Sequence, residues 1–322
     1  MSALPARAAV AGGGAMGAGI TTALAIAAVP TTVVVRRPEA VEEARARVTA
    51  RLEAHLELGL IDQETASAAE EVVDVRDDGD GGPYDLVVEC VSEDVATKRA
   101  LLARIEPALA ADGVLTTTTS SLRVDDLASA LADSGRFLAW HWFHPADLVP
   151  LVEIVPGAQT RPKAAQQVRE WSVTLGKAPL CLRQDVPGFV ANRLQYALLR
   201  EAYALVVAGV CTPEDVDLAV TAALGLRWST VGPFSLMDLA GLDVHAAVAE
   251  TLFPELDQST GLPELLVELR RNGALGVKNG RGLLGQYSQA AIQSVVNRRD
   301  RVLADAARAY STVDDSNAKE TE

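Results

Sequence analysis

The sequence predicts an α/β protein in two parts, a doubly wound parallel sheet followed by an all-helical half, on three observations. Short apolar runs alternate with helical stretches as far as Leu182, strand signals then stop, and from Pro187 onward the pattern is helical. A length of 322 residues allows two domains, and a hydrophobic content of 49% is ample for their cores. The boundary is expected near Asp185, giving domains of residues 1–185 and 186–322.

The first strand-like run, residues 7–11, leads into Gly12-Gly13-Gly14-Ala15-Met16-Gly17 and then a helix-like stretch to residue 28. Strand, glycine turn and helix in that order suit a dinucleotide. Gly12 permits the tight turn, Gly14 lets a pyrophosphate approach the backbone, and Gly17 lets helix pack on strand, while the helix start at Ala15 and Met16 offers amides to the anion. The first part is therefore expected to be a Rossmann-type domain. The second strand, residues 32–35, ends at Arg36-Arg37, where an NAD enzyme usually carries Asp or Glu for the ribose hydroxyls. Guanidinium groups there pair with a 2'-phosphate and lie against the adenine, so NADP(H) is the expected cofactor and NAD(H) the alternative.

Residues 38–58 read as a long amphipathic helix, and Asp62 as the cap of a shorter one. Strand-like runs recur at 72–75, 86–89, 114–118, 137–141, 151–155 and 178–182, with helical stretches at 95–110 and 161–175. In the second part, residues 189–208 form a long helix, and Thr212-Pro213-Glu214-Asp215 reads as a capped helix start. Val190, Leu194, Leu198, Leu205 and Val206 give the long helix more apolar surface than one neighbour needs, which suggests a homodimer.

Chemistry enters at His141-Trp142-Phe143-His144-Pro145, with Glu153 in the next strand-like run. A histidine and a carboxylate on consecutive strands can stand side by side, the carboxylate orienting the ring and stabilising its protonated form, as a general acid/base requires. His141, His144 and Glu153 could also supply metal ligands. Residues three apart on an extended strand face opposite ways, however, so no metal site is expected.

The formal charge of -14 leaves no basic face for nucleic acid. Cys90, Cys181 and Cys211 show no Cys-x-x-Cys spacing, which fits a reducing interior, and a cytoplasmic protein is expected. No uninterrupted apolar run reaches the ~18 residues of a membrane helix.

The motifs, taken together and in order, resemble the 3-hydroxyacyl-CoA dehydrogenase family, and more closely its shorter members, the lambda-crystallin or L-gulonate 3-dehydrogenase group. The resemblance rests on the glycine turn, Glu-Cys-Val-Ser-Glu-Asp from Glu89, Ser120-Ser121-Leu122, and the block around His141 and Glu153. It continues in Asp-Val-Pro-Gly-Phe-Val-Ala-Asn-Arg-Leu-Gln-Tyr from Asp185 and in Lys278-Asn279-Gly280-Arg281-Gly282. It implies that His141 transfers the proton, with Glu153 as its partner, and that Ser120 and Asn192 hydrogen-bond the reacting oxygen or thioester carbonyl. It also implies that Glu93, Lys98, Ser120 and Lys278 lie beside the cofactor. Two departures stand out: Arg36 replaces the ribose-binding acid, and His144 stands where the family usually has asparagine, at a position that meets cofactor or substrate.

Family members acting on acyl-CoA tend to carry lysines after the second strand, whereas residues 48–71 here hold one arginine and no lysine. The expected partner is thus a small 3-oxo or 3-hydroxy acid, or an acyl thioester such as a polyketide intermediate. NADP(H) would point to reduction, and reduction to biosynthesis. The rivals are an NAD-linked catabolic dehydrogenase of a 3-hydroxyacyl-CoA or small 3-hydroxy acid, and a catalytically idle crystallin-like protein.

Overall fold

The computed structural model describes residues 3–77 and 81–317, with side chains as far as 309. The chain divides into two compact units, Met1–Val190 with Asp300–Glu322, and Ala191–Arg299. The expected second domain, 186–322, thus gives up its last residues to the first unit.

The first unit holds an eight-stranded sheet: β1 (Ala8–Ala11), β2 (Thr31–Val34), β3 (Val73–Arg76), β4 (Tyr84–Glu89), β5 (Leu109–Thr117), β6 (Phe137–Trp142), β7 (Leu151–Pro156) and β8 (Ala178–Cys181). Their spatial order is β3-β2-β1-β4-β5-β6-β7-β8. β1 and β2 are buried along their whole length, as strands covered on both faces must be. Alternation sorts their side chains. Ala8, Val10, Leu86, Val88, Leu138 and Trp140 enter one core, while Ala9, Ala11, Val87, Leu115, Phe137 and Ala139 enter another on the opposite face.

The helices of this unit are α1 (Ala15–Ile26), α2 (Ala40–Glu57), α3 (Gln63–Glu71), α4 (Val95–Ile105), α5 (Val124–Ala128) and α6 (Pro162–Thr174). Asp62 caps α3 by accepting from the Thr65 N–H at 2.8 Å. One pairing departs from the parallel pattern: β6 and β7 run antiparallel, with His141 registered directly against Glu153. The reason is length, because residues 143–150 are too few for a parallel crossover, which takes roughly a dozen or more.

The second unit begins with α7 (Ala191–Val207). Helix follows over residues 213–228, passing through a π turn at Val220–Leu224, and then at Pro233–Ala240, Leu242–Leu252 and Glu264–Arg271. Thr212 and Asp215 form a reciprocal capping box at the start of the second of these helices. The unit is not wholly helical: Arg281–Gly282 and Gly285–Gln286 make a small antiparallel hairpin. Residues 289–299 open the last helix, Gln289–Asn317, whose remainder belongs to the first unit. Among the described residues, no helix is long and apolar enough to cross a membrane.

Candidate active site

The glycine turn between β1 and α1 is shaped by three separate constraints. Gly12 has φ +131°, and a Cβ there would stand 2.7 Å from the Cys90 carbonyl oxygen. A Cβ at Gly17 would meet the Gly12 carbonyl oxygen at 1.8 Å, whereas one at Gly14 would project into open space. That open space is the room an approaching phosphate needs, and α1 has no side-chain cap to compete for its first amides, at Ala15 and Met16. A cleft of about 570 Å³ adjoins the turn, within the range of cofactor sites. Its lining includes Gly12, Gly14, Arg36, Arg37, Arg47 and Arg104, and among the described residues no carboxylate. These residues fit a dinucleotide. Arg47 donates to the Gly13 carbonyl at 3.1 Å and to Glu43 at 2.6 Å, so its guanidinium is held over the turn.

His141 and Glu153 meet as the β6–β7 register requires. His141 Nδ1 lies 2.8 Å from Glu153 Oε2, and the two side chains are 5% and 0% exposed. The other carboxylate oxygen, Oε1, accepts the Val190 N–H at 2.9 Å. Burial without partners would make such a carboxylate untenable, and both of its oxygens are satisfied. The ring of His141 packs edge-on against Phe143 and Phe189, with centroids 4.5 and 5.4 Å away. Phe189 is 1% exposed yet adopts φ +50°, a left-handed conformation unusual for a bulky residue. That conformation brings the buried ring to His141 while the next amide reaches Glu153.

Ser120 lies exposed just beyond β5, and its backbone is fixed by Glu93. Glu93 Oε1 accepts from Thr119 Oγ1 (2.6 Å), the Ser120 and Ser121 N–H groups (2.9 and 3.0 Å) and Ser121 Oγ (3.0 Å). Burial alone would raise this carboxyl, but the Thr119 bond and the Lys98 charge outweigh it and hold it below the usual range. Lys98, which the resemblance puts beside the cofactor, stands next to Glu93. It is 1% exposed and turned inward, donating to both Glu89 oxygens at 2.8 Å and standing 3.4 Å from Glu93. Glu89 is itself fully buried and needs a countercharge, which explains why the lysine is absent from the cleft lining.

The strand ends at Trp142, so His144 lies beyond it and the opposite-face argument does not apply. Its side chain is exposed. Among the described residues, no group of three His, Cys, Asp or Glu side chains is placed to hold a metal ion. Asn192 and Lys278 belong to the second unit, Asn192 half-buried in the first turn of α7 and Lys278 exposed in a turn closed by the Gly276 N–H on the Arg281 carbonyl at 2.7 Å. Glu89, Arg47, Arg104, Phe189 and the Val190 amide carry no site role that the sequence motifs single out. The amide carries no side-chain signal, whereas the Glu89–Lys98 pairing could have been suspected from a carboxylate that closes the apolar run of residues 86–88.

A glycine turn beside a nucleotide-sized cleft, on a sheet that also carries a buried imidazole–carboxylate pair, defines a dinucleotide-dependent oxidoreductase. Residues 7–186 match the family description "3-hydroxyacyl-CoA dehydrogenase, NAD binding domain", and residues 188–286 match "3-hydroxyacyl-CoA dehydrogenase, C-terminal domain". The chain belongs to the 3-hydroxyacyl-CoA dehydrogenase family. It is 31% identical over 277 residues to 5-formyl-3-hydroxy-2-methylpyridine 4-carboxylate 5-dehydrogenase of Mesorhizobium japonicum, covering 85% of this chain and 89% of that protein. It is 34% identical over 279 residues to 3-hydroxybutyryl-CoA dehydrogenase of Mycobacterium tuberculosis, covering 86% and 96%. A crystal structure of the pyridine-carboxylate dehydrogenase, described as an NAD+ dependent dismutase, superposes with a TM-score of 0.87 at 30% identity, over 94% of this chain and 97% of that one. The protein is an oxidoreductase of the 3-hydroxyacyl-CoA dehydrogenase type with an NAD-binding domain.

Proposed function

We propose that this enzyme prefers NADP(H) and reduces a 3-oxo acid or 3-oxoacyl thioester to the 3-hydroxy product, with His141 as proton donor. The observation that carries the reading is the 2.8 Å pair of His141 and Glu153 on directly registered strands. With Nδ1 committed to Glu153, the ring presents Nε2 to the substrate. A reduced nicotinamide, when bound, supplies hydride to the carbonyl carbon. His141 as imidazolium gives its Nε2 proton to the oxygen, and Glu153 keeps the ring oriented and its charge compensated. General acid catalysis of this kind contributes about 10²–10⁴-fold. Ser120 and Asn192 donate hydrogen bonds to the same oxygen or to the thioester carbonyl, and oxidation runs the proton transfer in reverse.

Gly12, Gly14, Gly17 and the amides of Ala15 and Met16 hold the pyrophosphate, with His144 and Lys278 meeting the cofactor elsewhere. Arg36 and Arg37, joined by Arg47 and Arg104 in a lining whose described residues include no carboxylate, favour a 2'-phosphate. Free coenzyme A is disfavoured because the one arginine of residues 48–71, Arg51, is engaged by Asp147 and Asp300 at 2.6 and 2.7 Å. The relative acting on an unesterified pyridine carboxylate supports a small acid as substrate. That relative's NAD+ dependence favours the second reading, an NAD-linked dehydrogenase of a small 3-hydroxy acid. The closer likeness to the lambda-crystallin group is carried by the motifs alone. A homodimer formed through the second unit and a cytoplasmic setting complete the reading.

The test is consumption of NADPH or NADH across a panel of 3-oxo acids and their thioesters. NADPH is expected to bind roughly 10- to 100-fold more tightly, the worth of charge-assisted hydrogen bonds to a phosphate, and Arg36→Asp to close the gap. Equal affinities would transfer the assignment to the NAD-linked reading.

A further inference from the structure

The connector between the strands of His141 and Glu153, residues 143–150, is staked down by a buried charged network. Asp147, its side chain 1% exposed, accepts Arg51 Nε at 2.7 Å and the His55 ring at 2.9 Å on a single oxygen, Oδ2. Arg51 reaches on to Asp300 of the last helix at 2.7 Å. Lys177, just before β8, donates to the carbonyls of Ala146, Asp147 and Val149 at 2.7, 3.3 and 2.9 Å. Helix α1 closes the remaining side: a Cβ at Gly19 would stand 3.1 Å from both the Ala146 Cβ and Asp147 Oδ1. Three helices and a strand start therefore converge on the short link that joins the two halves of the dyad.

Charge is an expensive way to pack a connector. Desolvating this many charged groups is costly, and apolar side chains would often do as well or better for stability. Burial alone would raise the Asp147 carboxyl, but the His55 bond and the Arg51 charge outweigh it and keep the group ionised, below its usual range. What directional bonds supply and apolar packing does not is a fixed position.

We propose that Asp147 is a positioning residue for the reaction, holding the connector so that His141 and Glu153 keep their register, and that Asp300 of the last helix locks it through Arg51. The inference rests on the reading of His141 as the proton donor. A misplacement of about 1 Å remote from the chemistry can cost on the order of 100-fold in rate, so the connector is where such a loss would originate.

The chain has four histidines, which makes ring NMR of the full-length protein a direct probe. Asp300→Ala is expected to move the ring signal of His141, leave His245 unmoved, and lower kcat roughly 10- to 100-fold with little change in the KM for the nicotinamide cofactor. Asp300→Glu is expected to restore both readouts. Asp147→Asn, which keeps the side chain's shape, repeats the test should Asp300→Ala fail to fold. A His55 signal that shifts while His141 stays fixed would overturn the proposal, because the network would then be broken without effect on the dyad. A His141 signal that shifts with kcat unchanged would uphold the positioning and sink the proton-donor reading instead.

Discussion

The two units solve the problem of apolar surface in opposite ways. The first buries it on both faces of its sheet, in four separate clusters that include Trp140, Trp171, Phe137 and Tyr84. In the second, no residue from 191 to 299 is buried, and Leu194, Phe234 and Leu239 are 64%, 81% and 75% exposed. Helices open on every side cannot offset the conformational entropy of ordering them. The contrast teaches that the half carrying the glycine turn and the dyad is self-sufficient in apolar packing, while the helical half leaves its apolar side chains exposed. The homodimer proposed above would cover those side chains with the same surface on a second copy, the kind of isologous contact that two like apolar faces make.

The largest effect is expected at His141. His141→Ala should lower kcat about 10²–10⁴-fold while sedimentation reports an unchanged mass. Turnover at the wild-type rate would take the chemistry away from the self-sufficient unit and remove half of the contrast. Next, the double variant Leu194→Asp/Phe234→Asp should convert a dimer to a monomer. Each lost apolar contact of about 1.5–3 kcal/mol raises the dissociation constant roughly 10- to 100-fold. A wild-type protein that sediments as a monomer, with a melting temperature indifferent to dilution, would break the comparison outright.

A smaller effect belongs to Lys177 in the first unit, whose ammonium burial pushes down to about 8 from its ordinary 10.5. The folded state then releases its proton before the unfolded chain does, and between those values the unfolded chain binds more protons. Stability should therefore rise from pH 8 toward 10.5, by at most about 3 kcal/mol. Urea unfolding across that window checks the sign, and Lys177→Met should flatten the curve. The smallest effects are matched cap deletions. Asp62→Ala and Thr212→Ala should each lower the melting temperature slightly, but only the second, in the helical unit, should vary with protein concentration in thermal melts.

Several features could be read from the chain directly because they are local. The glycine turn, the Asp62 cap, the Thr212 start and the alternation of strand and helix depend on backbone freedom and hydrogen bonding within a few residues. The pairing of His141 with Glu153 was readable as well, since two apolar strands joined by a short link have few ways to meet. The inward pairing of Lys98 was not readable, because sequence alone did not reveal that Glu89 is fully buried and would draw the lysine to it. The return of the last helix to the first unit was likewise unannounced by any residue pattern, whereas the antiparallel turn of β7 follows from the short link before it.

The sequence by itself determined the class of fold, the place of the dinucleotide and the identity of the candidate acid and its partner, all consequences of short-range chemistry. Only the tertiary structure decided which charges are buried against one another, that Val190 supplies an amide to Glu153, and that Asp147 gathers α2, Lys177 and the last helix onto the dyad's connector. Those contacts join residues far apart in the chain, and a desolvated charge selects its partner by what the fold brings within reach, which no local pattern encodes.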